Sequence, residues 1–177
     1  VDPVGGAQLE GTEWVFEDKD YSLGTGMTAL SRTGRPVRVR VVRNKSGGVL
    51  LPKRAVKPGT ANRAAYAGQV SGYAATVGTD VVAGVVDEFL PAAGVVDGDL
   101  FYIVVEGPGM VTTAGAGTTT LTPGLFCIPS TNGTVVAQDT TVAAGAATFN
   151  QLQGAVGRAM ENVAAINTDF LCDVKCR

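Results

Sequence analysis

The densest chemistry in this 177-residue chain is cationic. Arg32, Arg35, Arg38, Arg40, Arg43 and Lys45 fall within fourteen residues, on and beside the stretch "RPVRVRVVRNK". Lys53, Arg54 and Lys57 follow closely. Guanidinium groups pair carboxylates and phosphates bidentately, so a strand that carries them suits docking to an acidic surface. No acidic residue lies between Tyr21 and Thr79, and ten of the fourteen basic residues sit between Arg32 and Arg63. Glu10, Glu13, Glu17, Asp18 and Asp20 precede this window, and Asp80, Asp87, Glu88, Asp97, Asp99 and Glu106 follow it.

Three destinations compete for these cations. They can be neutralised within the fold or across a homo-oligomer. They can meet an acidic protein partner. They can meet nucleic acid, but the net charge is −2 and the isoelectric point is near 5.1, whereas nucleic-acid domains are net basic. Residues 32–63 also hold no Phe, Tyr or Trp to stack a base.

Other chemistries find little footing. The chain has no histidine, which removes Ser-His-Asp and Cys-His nucleophile systems. It has no Ser-x-x-Lys and no phosphate loop, and Gly24-Thr25-Gly26 lacks the next glycine of a dinucleotide site. "VDGDL" reads as a turn opening a strand and lacks the further ligands of a calcium loop. Cys127, Cys172 and Cys176 are too few for a tetrahedral zinc set. On a strand, Cys172 and Cys176 stand about 13 Å apart, beyond disulfide reach. Asn44-Lys45-Ser46 and Asn132-Gly133-Thr134 match the glycosylation pattern and read equally as turns. The expectation is a binding or assembly protein, not an enzyme, with no metal and no cofactor. No apolar run reaches the ~20 residues of a membrane span, and Val1-Asp2-Pro3 does not open a signal peptide. No membrane partner is expected.

The elements that must carry the arginines read as β. Apolar residues make up 45% and charged residues 17%, with 24 glycines, a balance that favours strands and turns. Val37, Val39 and Val41 alternate with Arg38 and Arg40, and Val42-Arg43 predicts a bulge or strand end. "NKSGG" is a turn, and "VLLPKRAV" a short strand with Pro52 at its edge. Residues 57–79 read as a Gly/Ala-rich excursion with weak structure. "VVAGVVDEFL", "LFYIVVEGPG", "MVTT", "LFCIP" and "DFLCDVKC" read as strands, the last with Phe170, Cys172, Val174 and Cys176 on one face. Asn132-Gly133 marks a hairpin. Residues 1–31 read as an N-terminal arm with one strand, "EWVFE". Its Trp14 anchors either the chain's own core or a neighbouring subunit. Residues 32–177 read as a single all-β domain, a small barrel or sandwich of about eight short strands.

The order of segments over residues 80–177 resembles the small β-rich decoration, or cement, proteins of tailed-phage heads. "VVAGVVDEFLPAAGVVDGDLFYIVVEGPGMVTTAG" leads to "TPGLFCIPSTNGTVVAQD". A Gly157-Arg158-Ala159-Met160-Glu161 phrase then precedes the final strand. The resemblance implies a non-enzymatic virion protein on the outer capsid surface. It implies a trimer that clamps neighbouring major-capsid subunits and reaches over them with an arm, and it carries over Arg158 as a structural residue. On this reading Arg32, Arg35, Arg38, Arg40, Arg43, Lys45, Lys53, Arg54, Lys57 and Trp14 dock to the capsid or to a sister subunit. Another virion β-module, such as a tail or fibre component or a host-surface adhesin, is the alternative, with nucleic-acid binding behind it.

Overall fold

Regular alternation describes the first half of the arginine strand and fails in the second. Val37, Val39 and Val41 are buried and Arg38 is exposed, but Val42 and Asn44 are buried as well. The same doubling recurs at Ala55-Val56, Val85-Val86 and Val104-Val105. Adjacent strand residues point to opposite faces, so a buried pair means that both faces of the sheet are covered.

The computed structural model describes residues 10–20, 30–59, 68–76, 79–115, 120–138 and 154–176, with the side chains of 18–20 and 30–32 outside that description. Its strands are β1 (Glu13–Asp20), β2 (Leu30–Asn44), β3 (Ala55–Pro58), β4 (Gln69–Tyr73), β5 (Gly84–Val86), β6 (Leu100–Thr112), β7 (Phe126–Pro129), β8 (Val135–Ala137), β9 (Gly157–Ala159) and β10 (Asp169–Lys175). They form one ten-stranded sheet in the order β1-β2-β4-β3-β5-β6-β10-β9-β7-β8. β2 also pairs with β6, so β2, β4, β3, β5 and β6 close into a ring. Of the pairings between these strands only β2–β4 is parallel. The all-β expectation holds. The sheet takes the barrel form through this ring, with ten described strands where about eight were read.

Ring closure explains the valine pairs. Val42, Val56, Val70, Val86, Phe101, Ile103 and Val105 cluster inside. Their neighbours Val39, Ala55, Val85 and Val104 pack outward against Val111, Phe170, Cys172 and Val174. One wall therefore serves two cores. Each fully buried valine contributes roughly 1.5–3 kcal/mol. The outer core is completed by β6, β10, β9, β7 and β8, which return on themselves through a parallel bridge between Thr113 and Val135.

β6 joins the halves. Leu100–Glu106 pairs with β2 and Glu106–Thr112 with β10. At the handover Arg38 faces Glu106 while Val39 faces Val104, which leaves Val105 as the extra residue of a bulge. Its carbonyl accepts the Cys176 N–H at 3.0 Å. Gly107 follows at φ +101°, where a Cβ would lie 2.4 Å from the Pro36 carbonyl oxygen. Only glycine passes there. "LFYIVVEGPG" and "MVTT", read as two strands, are thus one, with "EGPG" in its middle.

Three other expectations narrow or change. No bulge forms at Val42-Arg43, where β2 instead ends within a residue, at Asn44; the bulge of the β2–β6 pair lies in β6, opposite Arg38 and Val39. Pro52 lies in a turn and the strand begins at Ala55. Within the weakly structured excursion, Gln69–Tyr73 is a strand with Val70 fully buried; residues 60–67 and 77–78 lie outside the described residues. The Asn132-Gly133 turn stands, with φ of +56° and +70°, as does the Phe170, Cys172 and Val174 face.

Cys127 and Cys172 are buried free thiols, and Cys176 is a half-buried one. Contact with the Cys127 thiol and burial push Cys172 well above the ordinary thiol range. Burial pushes Cys176 up to about 12. Arg158, in β9, stacks its guanidinium 4.3 Å from the Phe126 ring centroid in β7.

Candidate functional site

β1 ends the sheet among the described strands, and its register sets the fate of the arginines. Glu13 faces Arg40, Trp14 faces Val39, Val15 faces Arg38 and Phe16 faces Val37. Residues directly opposite in an antiparallel pair share a face. One face of β1 and β2 therefore carries Glu13, Val15, Arg38 and Arg40, and the other carries Trp14, Phe16, Val37 and Val39.

The charged face is internally satisfied. Arg40 donates to Glu13 Oε1 from Nε at 3.0 Å and from Nη2 at 2.5 Å. Arg38 lies 3.9 Å from Glu13 Oε2 and 3.7 Å from Glu106 Oε2. Arg43 pairs with Glu10 and donates to the Gly98 carbonyl at 2.7 Å. Arg35 reaches Asp173 at 3.1 Å, Lys53 reaches Asp169 at 2.5 Å and Lys57 reaches Asp80 at 3.4 Å. Half-exposed pairs of this kind are worth about 0.2–1 kcal/mol each. Their larger effect is positional: the acidic segment before the arginines is fastened to β2 by Glu10 and Glu13. Arg32 lies in β2 with its side chain outside the described residues. Lys45 is exposed in the turn after β2. Arg54 lines a separate cleft.

Two of the carboxylates show how firmly they are held. Burial pushes Asp169 up, but hydrogen bonds from Lys53 and Thr112 and the charges of Lys53 and Arg54 bring it below the ordinary carboxylate range. Burial likewise raises Asp80, and N–H donation from Ala75 and Thr76 with the Lys57 charge outweighs it, for a net lowering.

The apolar face is not satisfied. Trp14 is 50% exposed, Phe16 50% and, on the opposite face, Val15 64%. Trp14 and Phe16 extend the buried Val37–Val39 face past the margin of the core. Covering Trp14 and Phe16 removes roughly 200 Å² of apolar surface from water on that face, and Val15 adds to it on the other. The strand "EWVFE" and its Trp14 were legible in the sequence, and period two puts Phe16 on the Trp14 face. The exposure of Val15 had no signal, since alternation predicts only that it faces away from Trp14. Among the described residues, no cluster of Cys, Asp and Glu is arranged to hold a metal ion.

No protein-family model matches the chain and no curated protein matches it. Among solved structures it is similar to the N base of head fiber gp8.5 in bacteriophage phi29, at 16% identity and a TM-score of 0.46, over 77% of this chain and 92% of that one.

Proposed function

We propose that the chain is a non-enzymatic structural protein of a phage virion. It binds the outer surface of the head and clamps neighbouring major-capsid subunits, with β1 as its anchor. The observation that carries this reading is the run Trp14-Val15-Phe16, three large apolar side chains each at least half exposed on the end strand of the sheet. An exposed end strand offers backbone groups for strand addition and side chains for a partner's pocket. The order of segments over residues 80–177 supports the choice of a capsid as partner. β1 carries Glu13, Glu17, Asp18 and Asp20 against Lys19 alone, so the matching capsid surface is apolar with a basic rim. The arginines of β2 serve this anchor by holding β1 in place. The assembly is a homotrimer, which a solution mass of one or two chains contradicts.

The test uses capsids of the same virus that lack this protein. Purified protein is expected to sediment with them and raise their resistance to heat. Replacing Trp14 and Phe16 by Ala weakens retention at least about tenfold, or ~1.4 kcal/mol. Failure of the wild-type chain to bind or to protect overturns the reading, as does labelling of the tail with a bare head in electron micrographs.

A further inference from the structure

The second half of the molecule carries a cleft that the docking edge does not use. It lies where the turn before β3, the β7–β8 hairpin and the loop before β10 meet. Its volume is about 660 Å³, within the range of small-molecule sites. Arg54, Tyr73, Ser130, Thr131, Asn132 and Asn167 line it, and among the described residues no Asp or Glu does.

Two features set this cleft apart from an ordinary surface groove. The first is backbone conformation. Lys53, Asn132 and Asn167 have φ of +62°, +56° and +50°, and they are the non-glycine residues at positive φ among those described. Two line the cleft and the third adjoins Arg54. Such conformations cost of order 1 kcal/mol or more and concentrate at ligand clamps. The frame that holds them is tight. A Cβ on Gly133 would lie 2.5 Å from the Ala55 carbonyl oxygen and 2.7 Å from the Tyr73 ring, and one on Gly115 would lie 3.1 Å from the Asn167 amide.

The second is the state of the polar groups. The guanidinium of Arg54 feels the charge of Asp169, but neither it nor the side-chain amides of Asn132 and Asn167 make a hydrogen bond or close salt bridge with a described residue. The contrast with the β2 arginines is direct, since Arg35, Arg38, Arg40 and Arg43 all have carboxylate partners. Tyr73 is immobilised by its hydroxyl, which accepts from the Leu51 N–H at 2.7 Å and donates to the Val49 carbonyl at 3.3 Å. That leaves its ring as a fixed wall.

We propose that this cleft binds an acidic saccharide, with Arg54 on the carboxylate and Asn132 and Asn167 on ring hydroxyls. An amide offers a donor and an acceptor side by side, as vicinal hydroxyls require. Asp169 lies within charge range of Arg54 but is hydrogen-bonded to Lys53 and Thr112, so the guanidinium keeps its donors for a carboxylate of the ligand. Ser130 and Thr131 add hydroxyls at the rim. This assignment does not depend on capsid docking.

The test is a titration of the intact protein, followed through the side-chain amide NMR signals of Asn132 and Asn167. The probes are sialyl-lactose and tri-galacturonate, with lactose and a neutral galactose trimer beside them. A saturable shift with an acidic probe at millimolar concentration is expected, at least about tenfold tighter than with its neutral counterpart. Arg54→Ala abolishes that preference, and Asn167→Ala weakens binding by a separate route should Arg54→Ala fail to fold. No saturable shift up to about 10 mM, equal binding of neutral sugars, or unchanged binding in both variants overturns the proposal. So does a response only to a Glu-rich peptide, which makes the cleft a protein contact.

Discussion

The β1–β2 edge and the polar cleft invert what the sequence advertises. The edge holds the highest density of charge in the chain, and the described cations there already have partners: Arg40 with Glu13, Arg43 with Glu10, Arg35 with Asp173. What the edge leaves without a cover on its other face is apolar, Trp14 and Phe16. The cleft holds a single arginine amid amides and hydroxyls, and that arginine makes no salt bridge with a described residue. Density of charge along a sequence therefore locates where a fold ties itself together. A polar group left without a partner locates where it can take one from outside.

The largest effect that sharpens this contrast is at Gly133. Replacement by Ala puts a Cβ against Ala55 at a φ of +70°, so the Asn132 hairpin must lift off Arg54 and Tyr73. A loss of roughly 2–3 kcal/mol in denaturant unfolding is expected, with saccharide binding lost and capsid retention kept. Next is Arg40→Glu, which sets two carboxylates face to face across β1 and β2. It costs about 1 kcal/mol of stability and weakens capsid retention about tenfold or more, because β1 is no longer held.

A smaller effect belongs to Asp169, whose carboxyl sits below the ordinary range. Between its folded value and the unfolded value of ~3.9, the folded state binds fewer protons than the unfolded chain. The resulting stabilisation is present above about pH 4 and is lost as pH falls through the folded value. Asp169→Asn therefore lowers the melting temperature most at pH 7, and the gap to wild type closes toward pH 2. The side chain is 38% exposed, which limits the effect to about 1 kcal/mol. A gap that stays constant with pH contradicts the Lys53–Asp169 pair.

The smallest change in stability is also the most telling for the cleft. Asn132→Gly relieves a left-handed residue and raises stability by up to about 1 kcal/mol, yet removes an amide from the cleft. Stability gained with saccharide affinity lost supports a clamp held under strain. Stability gained with affinity unchanged removes Asn132 from the site.

Much of the sheet was legible because residue type and period agreed. Val37, Val39 and Val41 against Arg38 and Arg40, the Asn132-Gly133 turn, and Phe170, Cys172 and Val174 all follow from local rules. What escaped depends on partners distant in the chain. Val42-Arg43 reads as a bulge or strand end, and only the closure of β2 onto β6 shows why Val41 and Val42 are both buried, in a wall between two cores. "LFYIVVEGPG" and "MVTT" read as two strands, and only the passing Pro36 carbonyl explains the Gly107 within the single strand they form. "QVSGY" has too little apolar pattern to be read as a strand until β2 and β3 flank it. At the site, the acidic flanks already allowed internal neutralisation, and Arg54 was named among the cations. Nothing local marked Asn167 as its neighbour in a cleft, since the two meet only when the turn before β3 faces the loop before β10.

The central claim is that the arginines position β1 and that β1 does the docking. A charge swap tests it most directly. Capsid retention is measured for Arg40→Glu, for Glu13→Arg and for the two combined. The account predicts that each single change weakens retention and that the double variant recovers most of it, because the pair is rebuilt in reverse and Trp14, Val15 and Phe16 return to their places. A double variant as weak as Arg40→Glu alone would mean that Arg40 itself touches the capsid, and would contradict the account.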